Sequence, residues 1–131
     1  MTYTMTVNTT PVPKGRPRFY GNHAVTPPKT RAYEKLLRES WTHGKMEGPI
    51  IVSMKFTFEI PKSYSKKKRS ELLYRPKTTK PDLDNLVKAV LDGLQGEVGA
   101  FDDDSIVCGI VATKEYGTEP KVSIVVEEVK V

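Results

Sequence analysis

The chain has 131 residues, of which 37% are hydrophobic and 28% charged, and its formal charge of +5 comes from 21 Lys and Arg against 16 Asp and Glu. This length suits a single domain with its own core, and one cysteine excludes an intramolecular disulfide framework. No run resembles a secretory signal or approaches the roughly 20 apolar residues that cross a bilayer, so we expect a cytoplasmic protein with no membrane partner.

The charges are unevenly distributed along the chain. Residues 1–80 contain 17 Lys and Arg against 5 acids, whereas residues 81–131 contain 4 against 11. A basic half joined to an acidic half is typical of a polyanion-binding surface beside a carboxylate-rich site. Two solvated faces of opposite sign would explain the same charges equally well.

Periodicity in the first half predicts a half-buried strand, a short hairpin, a helix and a long core strand. In chain order these elements cover residues 3–7, 18–20 with 24–26, 29–41 and 50–60. Thr26 is the expected cap of the helix, because it precedes two prolines that suit a first helical turn. A proline-rich loop with three cations separates the first strand from the hairpin.

Periodicity in the second half predicts a short basic helix, a strongly amphipathic helix and two strands. They cover residues 66–73, 85–94, 106–113 and 122–129. Ser65 and Asp84 are suited to cap the two helices. The element order predicts one α+β domain over residues 1–131, in which helices flank a small mixed β-sheet.

The clearest chemistry lies in the segment K-P-D-L-D-N-L-V-K at residues 80–88. Ahead of a helix that begins at residue 85, Asp82 and Asp84 would lie in extended chain with both side chains on one side, about 6.6 Å apart. Lys88 follows Asp84 by four residues and would rise from the same helical face. With a third acid from the turn at 102–104, such carboxylates could hold Mg²⁺ for phosphodiester cleavage.

Structural explanations for these acids also exist. An Asp at a helix start usually serves as a cap, and consecutive aspartates before an apolar strand can be solvated residues that limit aggregation. A calcium loop of the EF-hand type is excluded, because the sixth and twelfth positions counted from Asp82 are Val87 and Gly93. The register of Lys88 and the downstream acids favour a catalytic site over a cap alone.

Residues 80–94, K-P-D-L-D-N-L-V-K-A-V-L-D-G-L, together with D-D-S at 103–105, resemble the signature of the RusA family of Holliday-junction resolvases. The loop P-K-G-R-P-R-F at 13–19 is similar to that family's N-terminal loop, and Lys114 falls near one of its basic positions. The resemblance covers about residues 10–115. It implies a small homodimeric endodeoxyribonuclease that depends on Mg²⁺, with Mn²⁺ as a substitute, and cuts four-way DNA junctions by paired symmetric nicks.

The resemblance also implies roles for individual residues. By position, Asp82, Asp84 and Asp103 correspond to the family's metal-binding acids, and Lys88 corresponds to its catalytic lysine. Asp103 is preferred because it begins the Asp-Asp-Ser step, and the acids on either side of it remain alternatives. We expect the three acids to converge on one pocket, with the Lys88 ammonium stabilising charge that develops on the phosphate.

Two basic groups are candidates for contacts with DNA phosphates. Their members are Lys66, Lys67, Lys68, Arg69, Lys77 and Lys80 in one group, and Lys14, Arg16 and Arg18 in the other. Phe19, Tyr20 and Tyr64 lie beside these cations and could stack on unpaired bases, although core packing is the expected fate of Phe19. Neither histidine is expected to take part in catalysis, and Cys108 is expected to be a small buried side chain.

The leading hypothesis is therefore a junction-resolving nuclease that acts in recombination, repair or phage DNA processing. One alternative is a catalytically silent module that binds nucleic acid with the same fold. Another is a metal-dependent nuclease of flap or other branched substrates. Substrate preference separates the first hypothesis from the third, and the loss of any cleavage would favour the second.

Overall fold

The fold was taken from a computed structural model that describes residues 1–15 and 18–130. Over these residues the chain forms six strands, three α-helices and one 3-10 turn. The strands are β1 (Thr2–Val7), β2 (Arg18–Tyr20), β3 (His23–Val25), β4 (Ile50–Glu59), β5 (Val107–Gly117) and β6 (Lys121–Glu128). The helices are α1 (Pro28–Ser40), α2 (Lys66–Leu72) and α3 (Leu83–Leu94), and the 3-10 turn covers Asp104–Ile106.

Four strands form a mixed sheet in the order β1-β6-β4-β5, and β2 and β3 form a separate hairpin. The β1–β6 and β6–β4 pairs are antiparallel, whereas β4 and β5 are parallel. A parallel pair needs a long crossover, and here the connection from β4 to β5 contains α2 and α3. The architecture confirms the predicted α+β domain with a mixed sheet and flanking helices.

The core lies between one face of this sheet and the helices α1 and α3. Alternation in β4 and β6 sends every second side chain to that face, which is why both strands read as apolar at period two. The largest fully buried side chains are Phe56, Phe101, Leu37, Ile50, Leu86, Leu94 and Ile124. Among residues 1–15 and 18–130, no helix covers the other face of the sheet, which carries mainly threonine, serine and charged residues.

Helices α1 and α3 cross closely because a glycine stands at their contact. A Cβ atom built on Gly93 would lie 3.2 Å from both Cα and the carbonyl oxygen of Glu34. Any larger residue would push the two helices apart. This close approach places Glu34 next to α3, where its carboxylate can contact Lys14 of the N-terminal loop.

Most predicted helices and strands are confirmed. The predicted cap of α2 is also confirmed, because the Ser65 hydroxyl accepts a hydrogen bond from the Lys68 amide at 3.2 Å. The predicted cap of α1 is wrong: Pro27 occupies the N-cap position without a side-chain bond, since the two prolines already preset the first turn. The predicted cap of α3 is also wrong, because Asp82 rather than Asp84 occupies the N-cap.

Two predictions of side-chain burial are wrong. Phe19 was expected in the core but is 74% exposed, because its short hairpin does not join the main sheet. Cys108 was expected to be buried but is exposed, because a register irregularity between Val107 and Gly109 places it at the start of an edge strand. Within the described residues, no helix combines the length and the apolar character that crossing a membrane requires.

Candidate active site

Helix α3 begins inside the segment that carries the predicted chemistry. The amide of Leu86 donates to the carbonyl of Asp82 at 3.2 Å, so the helix starts two residues earlier than the sequence predicted. Pro81 precedes this start, and Asp82 has the extended backbone that is typical of an N-cap residue. Asp84 therefore lies in the first helical turn, where its charge is favourable to the helix dipole.

The early start changes the expected geometry of the two acids. Asp82 and Asp84 do not share an extended segment, because the chain turns into the helix between them. Both side chains are nevertheless exposed, and the Asp82 carboxylate makes no capping hydrogen bond. Lys88 is exposed one turn further along the helix, on the same face as Asp84, as predicted. This outer face of α3 is opposite the buried face that contains Leu86 and Val90.

Lys114 of β5 holds the loop that leads into this helix. Its ammonium donates to the carbonyl oxygens of Thr79 at 2.6 Å and Pro81 at 2.7 Å. Hydrogen bonds from an ammonium are among the stronger ones in proteins. Lys114 thus ties the residue directly before Asp82 to the sheet, and it places a positive charge beneath the acidic end of α3.

An open groove of about 520 Å³ lies beside Asp82. It is lined by Pro13, Lys14, Lys80, Pro81, Asp82 and Asn85. The N-terminal loop reaches this groove because the amide of Lys14 donates to the carbonyl of Asn85 at 2.9 Å. A carboxylate between lysines in an open groove is a setting in which a phosphate backbone and a hard cation could both bind.

The Lys14 ammonium is engaged within the protein. It lies 2.7 Å from a carboxylate oxygen of Glu34 and 2.9 Å from one of Asp92, and its side chain is only 16% exposed. Partial burial alone would lower the pKa of Lys14, but the hydrogen bonds and charges of the two acids raise that pKa above its ordinary value. These contacts tie the N-terminal loop to α1 and α3. Asp92 lies near the end of α3, so its contact with Lys14 joins the loop to this helix.

The acidic turn lies at the other end of α3. The helix has 12 residues, which corresponds to about 18 Å along its axis. Along β5, Val107 precedes Lys114 by seven residues, which corresponds to about 23 Å. Asp103 stands just before Val107, whereas Lys114 contacts the loop at Pro81. Within one chain, Asp103 is therefore roughly 20 Å from Asp82.

The expected convergence of three acids is thus not found in a single copy of the chain. Across residues 1–15 and 18–130, no three acidic, histidine or cysteine side chains are grouped to hold one metal ion. Asp82, Asp84 and Lys88 all lie at the N-cap or in the first half of α3, although only Asp82 lines the groove, whereas Asp103 lies beyond the other end of the helix. The sequence does not reveal this separation. Asp82 precedes α3 and Asp103 follows it, and the distance between them depends on how the connection from β4 to β5 runs across the sheet.

The three acids of the turn have different surroundings. Asp102 forms an ion pair with Lys45, whose ammonium also donates to the Gly96 carbonyl at 3.0 Å. Asp103 uses one carboxylate oxygen to accept from the Ser105 amide at 3.3 Å, which caps the 3-10 turn. Asp104 is exposed. Asp102 is therefore the most engaged of the three side chains.

The larger basic group is spread over α2 and the loop that follows it. Residues 66–69 are exposed in the first part of α2, and Lys80 is exposed at the groove itself. Lys77 packs its ammonium over the rings of Phe58 and Tyr116 and donates to the Thr79 hydroxyl at 2.6 Å. Within the second group, Arg16 lies outside the described residues, and Arg18 is described only as the first residue of β2.

A tyrosine beside these lysines has a shifted titration. The pKa of Tyr116 is lowered by a hydrogen bond with the Thr79 side chain, against the opposing effect of burial, and the charges of Lys77 and Lys68 lower it further. The segment 74–77 also runs antiparallel to β5 here, with the Lys77 amide donating to the Lys114 carbonyl at 3.1 Å. Residues 74–80, which include Lys77 and Lys80, are thus attached to β5 by backbone and side-chain hydrogen bonds.

The aromatic candidates for base stacking separate into two kinds. Phe19 and Tyr20 are 74% and 63% exposed on the hairpin. Tyr64 is half-buried under the Lys68 ammonium, which lies 4.0 Å from its ring centroid. His43 packs against Tyr3 and Trp41 and hydrogen-bonds to the Thr4 carbonyl, which is a structural role.

Comparisons with known proteins bear on the same residues. The family model described as Endodeoxyribonuclease RusA matches residues 8–127, which include the N-terminal loop, the groove, helix α3 and the acidic turn. The chain is also similar to YqaN, an uncharacterized protein of Bacillus subtilis strain 168, with 34% identity over 137 residues. That alignment covers 95% of this chain and 94% of the relative. The chain therefore belongs to the RusA endodeoxyribonuclease family.

Proposed function

We propose that the chain is a Mg²⁺-dependent endodeoxyribonuclease that resolves four-way DNA junctions by paired nicks in opposite strands. The family match over residues 8–127 is the observation that carries this proposal. An exposed acidic and basic constellation at the start of α3, beside an open groove between lysines, supports it. Such an enzyme would act in the cytoplasm, on recombining, damaged or phage DNA.

The donor set at the start of α3 suits a hard divalent cation. Asp82 and Asp84 offer carboxylate oxygens at the surface, and Mg²⁺ is commonly held by one or two carboxylates together with water and substrate phosphate. Asp103 keeps one carboxylate oxygen outside its capping bond and is our proposed third ligand, with Asp104 as the alternative; because Asp103 lies roughly 20 Å from Asp82 within one chain, this ligand would come from the second copy of the dimer proposed below. When bound, Mg²⁺, or Mn²⁺ in its place, would supply Lewis-acid stabilisation of the phosphate and a more acidic water.

The chain's own residues would then orient and stabilise the scissile phosphate. Lys88 would donate to a non-bridging oxygen and stabilise the charge that develops there in the transition state. Lys114 is proposed as a positioning residue, because it fixes the carbonyls of Thr79 and Pro81 rather than reaching the solvent. Amides in the first turn of α3 could receive another phosphate oxygen.

The exposed basic residues would bind DNA phosphates and so provide an affinity for DNA that does not depend on the base sequence. Lys66, Lys67 and Lys80 are exposed and are proposed to contact phosphates on the arms of the junction. Phe19 and Tyr20 are proposed to stack on bases that the branch point leaves unpaired. Because a junction has two-fold symmetry and needs two nicks, we propose that the active enzyme is a homodimer.

The test compares four substrates with and without Mg²⁺: a synthetic four-way junction, a linear duplex, a flap and a single strand. We expect nicks in two opposite strands of the junction and little cleavage of the duplex. Asp84→Asn should lower the cleavage rate by at least about a hundredfold while leaving junction binding nearly unchanged. Glu97→Gln, an exposed acid just beyond α3, is the matched control and should retain full activity.

Each other outcome assigns a different function. Equal cleavage of junction and duplex would replace junction resolution by a broader nuclease activity. Preferred cleavage of the flap would favour the alternative of a flap nuclease. Junction binding without cleavage at any Mg²⁺ or Mn²⁺ concentration would identify a silent binding module.

A further inference from the structure

The solvent-facing side of α1 carries three cations that belong to neither of the two basic groups. Arg31, Lys35 and Arg38 follow one another at intervals of four and three residues, so they lie along one face of the helix. Together with Pro28 and Ala32 they line an open groove of about 410 Å³. Arg31 and Lys35 are exposed, and Arg38 is half-buried. These three cations form the α1 row.

Acids of the protein compensate little of the charge of this row. Glu34 is buried on the inner side of α1, where its carboxylate contacts Lys14. Glu39 lies 3.8 Å from Lys35, but the two side chains are 63% and 72% exposed, so this pair contributes little. Within residues 1–15 and 18–130, Arg31 forms no ion pair. The α1 row therefore presents an excess of positive charge to solvent.

The start of α1 carries charges of the sign that a helix disfavours there. Its first four residues include Lys29 and Arg31 and no acid. The free amides that begin a helix give this end a partial positive charge, which acids stabilise and cations oppose. Helix α3 shows the favourable arrangement, with Asp84 in its first turn. The cations at the start of α1 thus weaken the helix, and a bound anion would offset that effect.

The α1 row begins near the groove at the start of α3. The Thr30 hydroxyl accepts a hydrogen bond from the Gly15 amide at 3.2 Å, and the adjacent Lys14 amide donates to the Asn85 carbonyl at 2.9 Å. Two neighbouring residues of the N-terminal loop therefore join the start of α1 to the first turn of α3. At the other end of the row, the Arg38 guanidinium donates to two backbone carbonyls near the end of α3. The row thus runs alongside α3 and away from the groove.

We propose that the α1 row binds the phosphate backbone of a duplex arm that extends from a DNA branch point held at the start of α3. Arg31 and Arg38 are seven residues apart, which is about 10.5 Å along the helix axis. Phosphates on one strand of duplex DNA repeat about every 3.4 Å of its axis, so the row spans about three of them. Such contacts give affinity and fix the direction of the arm without reading its sequence. The choice of a junction arm as the partner rests on the proposed function.

The test removes two charges from the α1 row and, in a matched control, two charges elsewhere. Binding of a four-way junction is measured by fluorescence anisotropy at several salt concentrations, without divalent metal so that metal-dependent cleavage does not occur. We expect R31Q/K35Q to reduce the salt slope by about 2 and to weaken binding at least about tenfold at roughly 0.1 M salt. The control K121Q/K130Q removes two exposed cations near the two ends of β6 and should leave slope and affinity unchanged. The Tm of R31Q/K35Q should be unchanged or higher, because Arg31 opposes the helix dipole.

A second measurement locates the arm without changing the charge of the row. Ala32 is exposed and lies in the groove between Arg31 and Lys35. In a C108S background, A32C labelled with a photoreactive thiol reagent should crosslink to the duplex several base pairs from the branch point. The control T6C, an exposed position on β1, should give no crosslink.

Each result assigns or removes this surface. An unchanged salt slope in R31Q/K35Q, an equal loss in K121Q/K130Q, or a bound junction that labelled A32C fails to crosslink would overturn the inference. If R31Q/K35Q loses the expected affinity but the wild type cuts no substrate, the proposed nuclease function fails while the DNA-binding face of α1 stands. If the wild type makes paired nicks and R31Q/K35Q binds the junction as tightly as the wild type, the nuclease function stands and α1 is not part of its DNA surface.

Discussion

The ion pairs of Lys14 allow a direct test of what this lysine does. We expect Lys14→Met to leave the carboxylates of Glu34 and Asp92 close together without a cation. Their side chains are only 12% and 28% exposed, so water can compensate only in part. Breaking a fully buried pair typically costs 3–5 kcal/mol, and for this partly exposed site we expect a loss of about 2–3 kcal/mol in the free energy of unfolding.

The assay is thermal and urea unfolding of wild type and variants. For a chain of this length, a loss of about 2–3 kcal/mol lowers Tm by roughly 7–11 °C. Glu34→Gln should cost less, about 1 kcal/mol, because Asp92 still faces the ammonium. The control is Lys35→Met, which removes an exposed pair with Glu39 at 3.8 Å and should change stability by less than about 0.5 kcal/mol.

The dependence on pH has a defined sign. The pKa of Lys14 is higher in the folded chain than its ordinary value of 10.5, so its contribution is fully present below that value and is lost as pH rises through the folded pKa. The difference between wild type and Lys14→Met should therefore be constant from neutral pH to about pH 10 and shrink above it. If Lys14→Met lost no more unfolding free energy than Lys35→Met and also bound junction DNA more weakly, the structural role of Lys14 would be refuted. The DNA contact predicted from the sequence would then be favoured.

Three further outcomes are expected. Lys114→Met should lower kcat on junction DNA more than it raises KM, with partial rescue in Lys114→Arg, because the two carbonyls it holds would move with the loop; unchanged kcat would contradict a positioning role. Exchanging both Lys66 and Lys67 for Gln should reduce the salt slope of junction binding by about 2 without changing Tm, measured by anisotropy at several salt concentrations; an unchanged slope would remove α2 from the interface. Gly93→Ala should cost about 1–3 kcal/mol in urea unfolding through its contact with α1, whereas Gly48→Ala, where a Cβ meets nothing within 4 Å, should be nearly neutral; equal effects would contradict the close helix approach.

The fold was largely predictable because its strong elements carry strong periodicity. Strand β4 alternates apolar and polar residues from Val52 to Glu59, and α3 repeats apolar residues on one face, so both were found with bounds close to those observed. The start of α3 was not predictable at the level of single residues, because Asp82 and Asp84 are equally suited to a cap. The structure selects Asp82, whose position after Pro81 is extended.

Only the part of the candidate site that lies close together in the sequence was predictable. Lys88 follows Asp84 by one helical turn, a relation that the helix itself enforces. The distance from these residues to Asp103 depends instead on which end of the sheet each loop reaches, and spacing along the chain does not contain that information. The predictions that Phe19 and Cys108 are buried were wrong for a related reason. Phe19 lies in a hairpin outside the main sheet and Cys108 lies in an edge strand, and both positions are set by the tertiary fold.

The distribution of lysine partners changes how the basic half of the chain should be interpreted. Lys14 and Lys45 of this half, like Lys114 of the acidic half, bond to protein groups and hold loops in place around α3. Lys66 and Lys67 project from a helix with no buried residue. Counting charges in the sequence treats all five alike, yet only an ammonium that faces solvent can release counterions from DNA. The basic half therefore serves two purposes, and a nuclease built this way can lose affinity for DNA without losing its fold only through the exposed set.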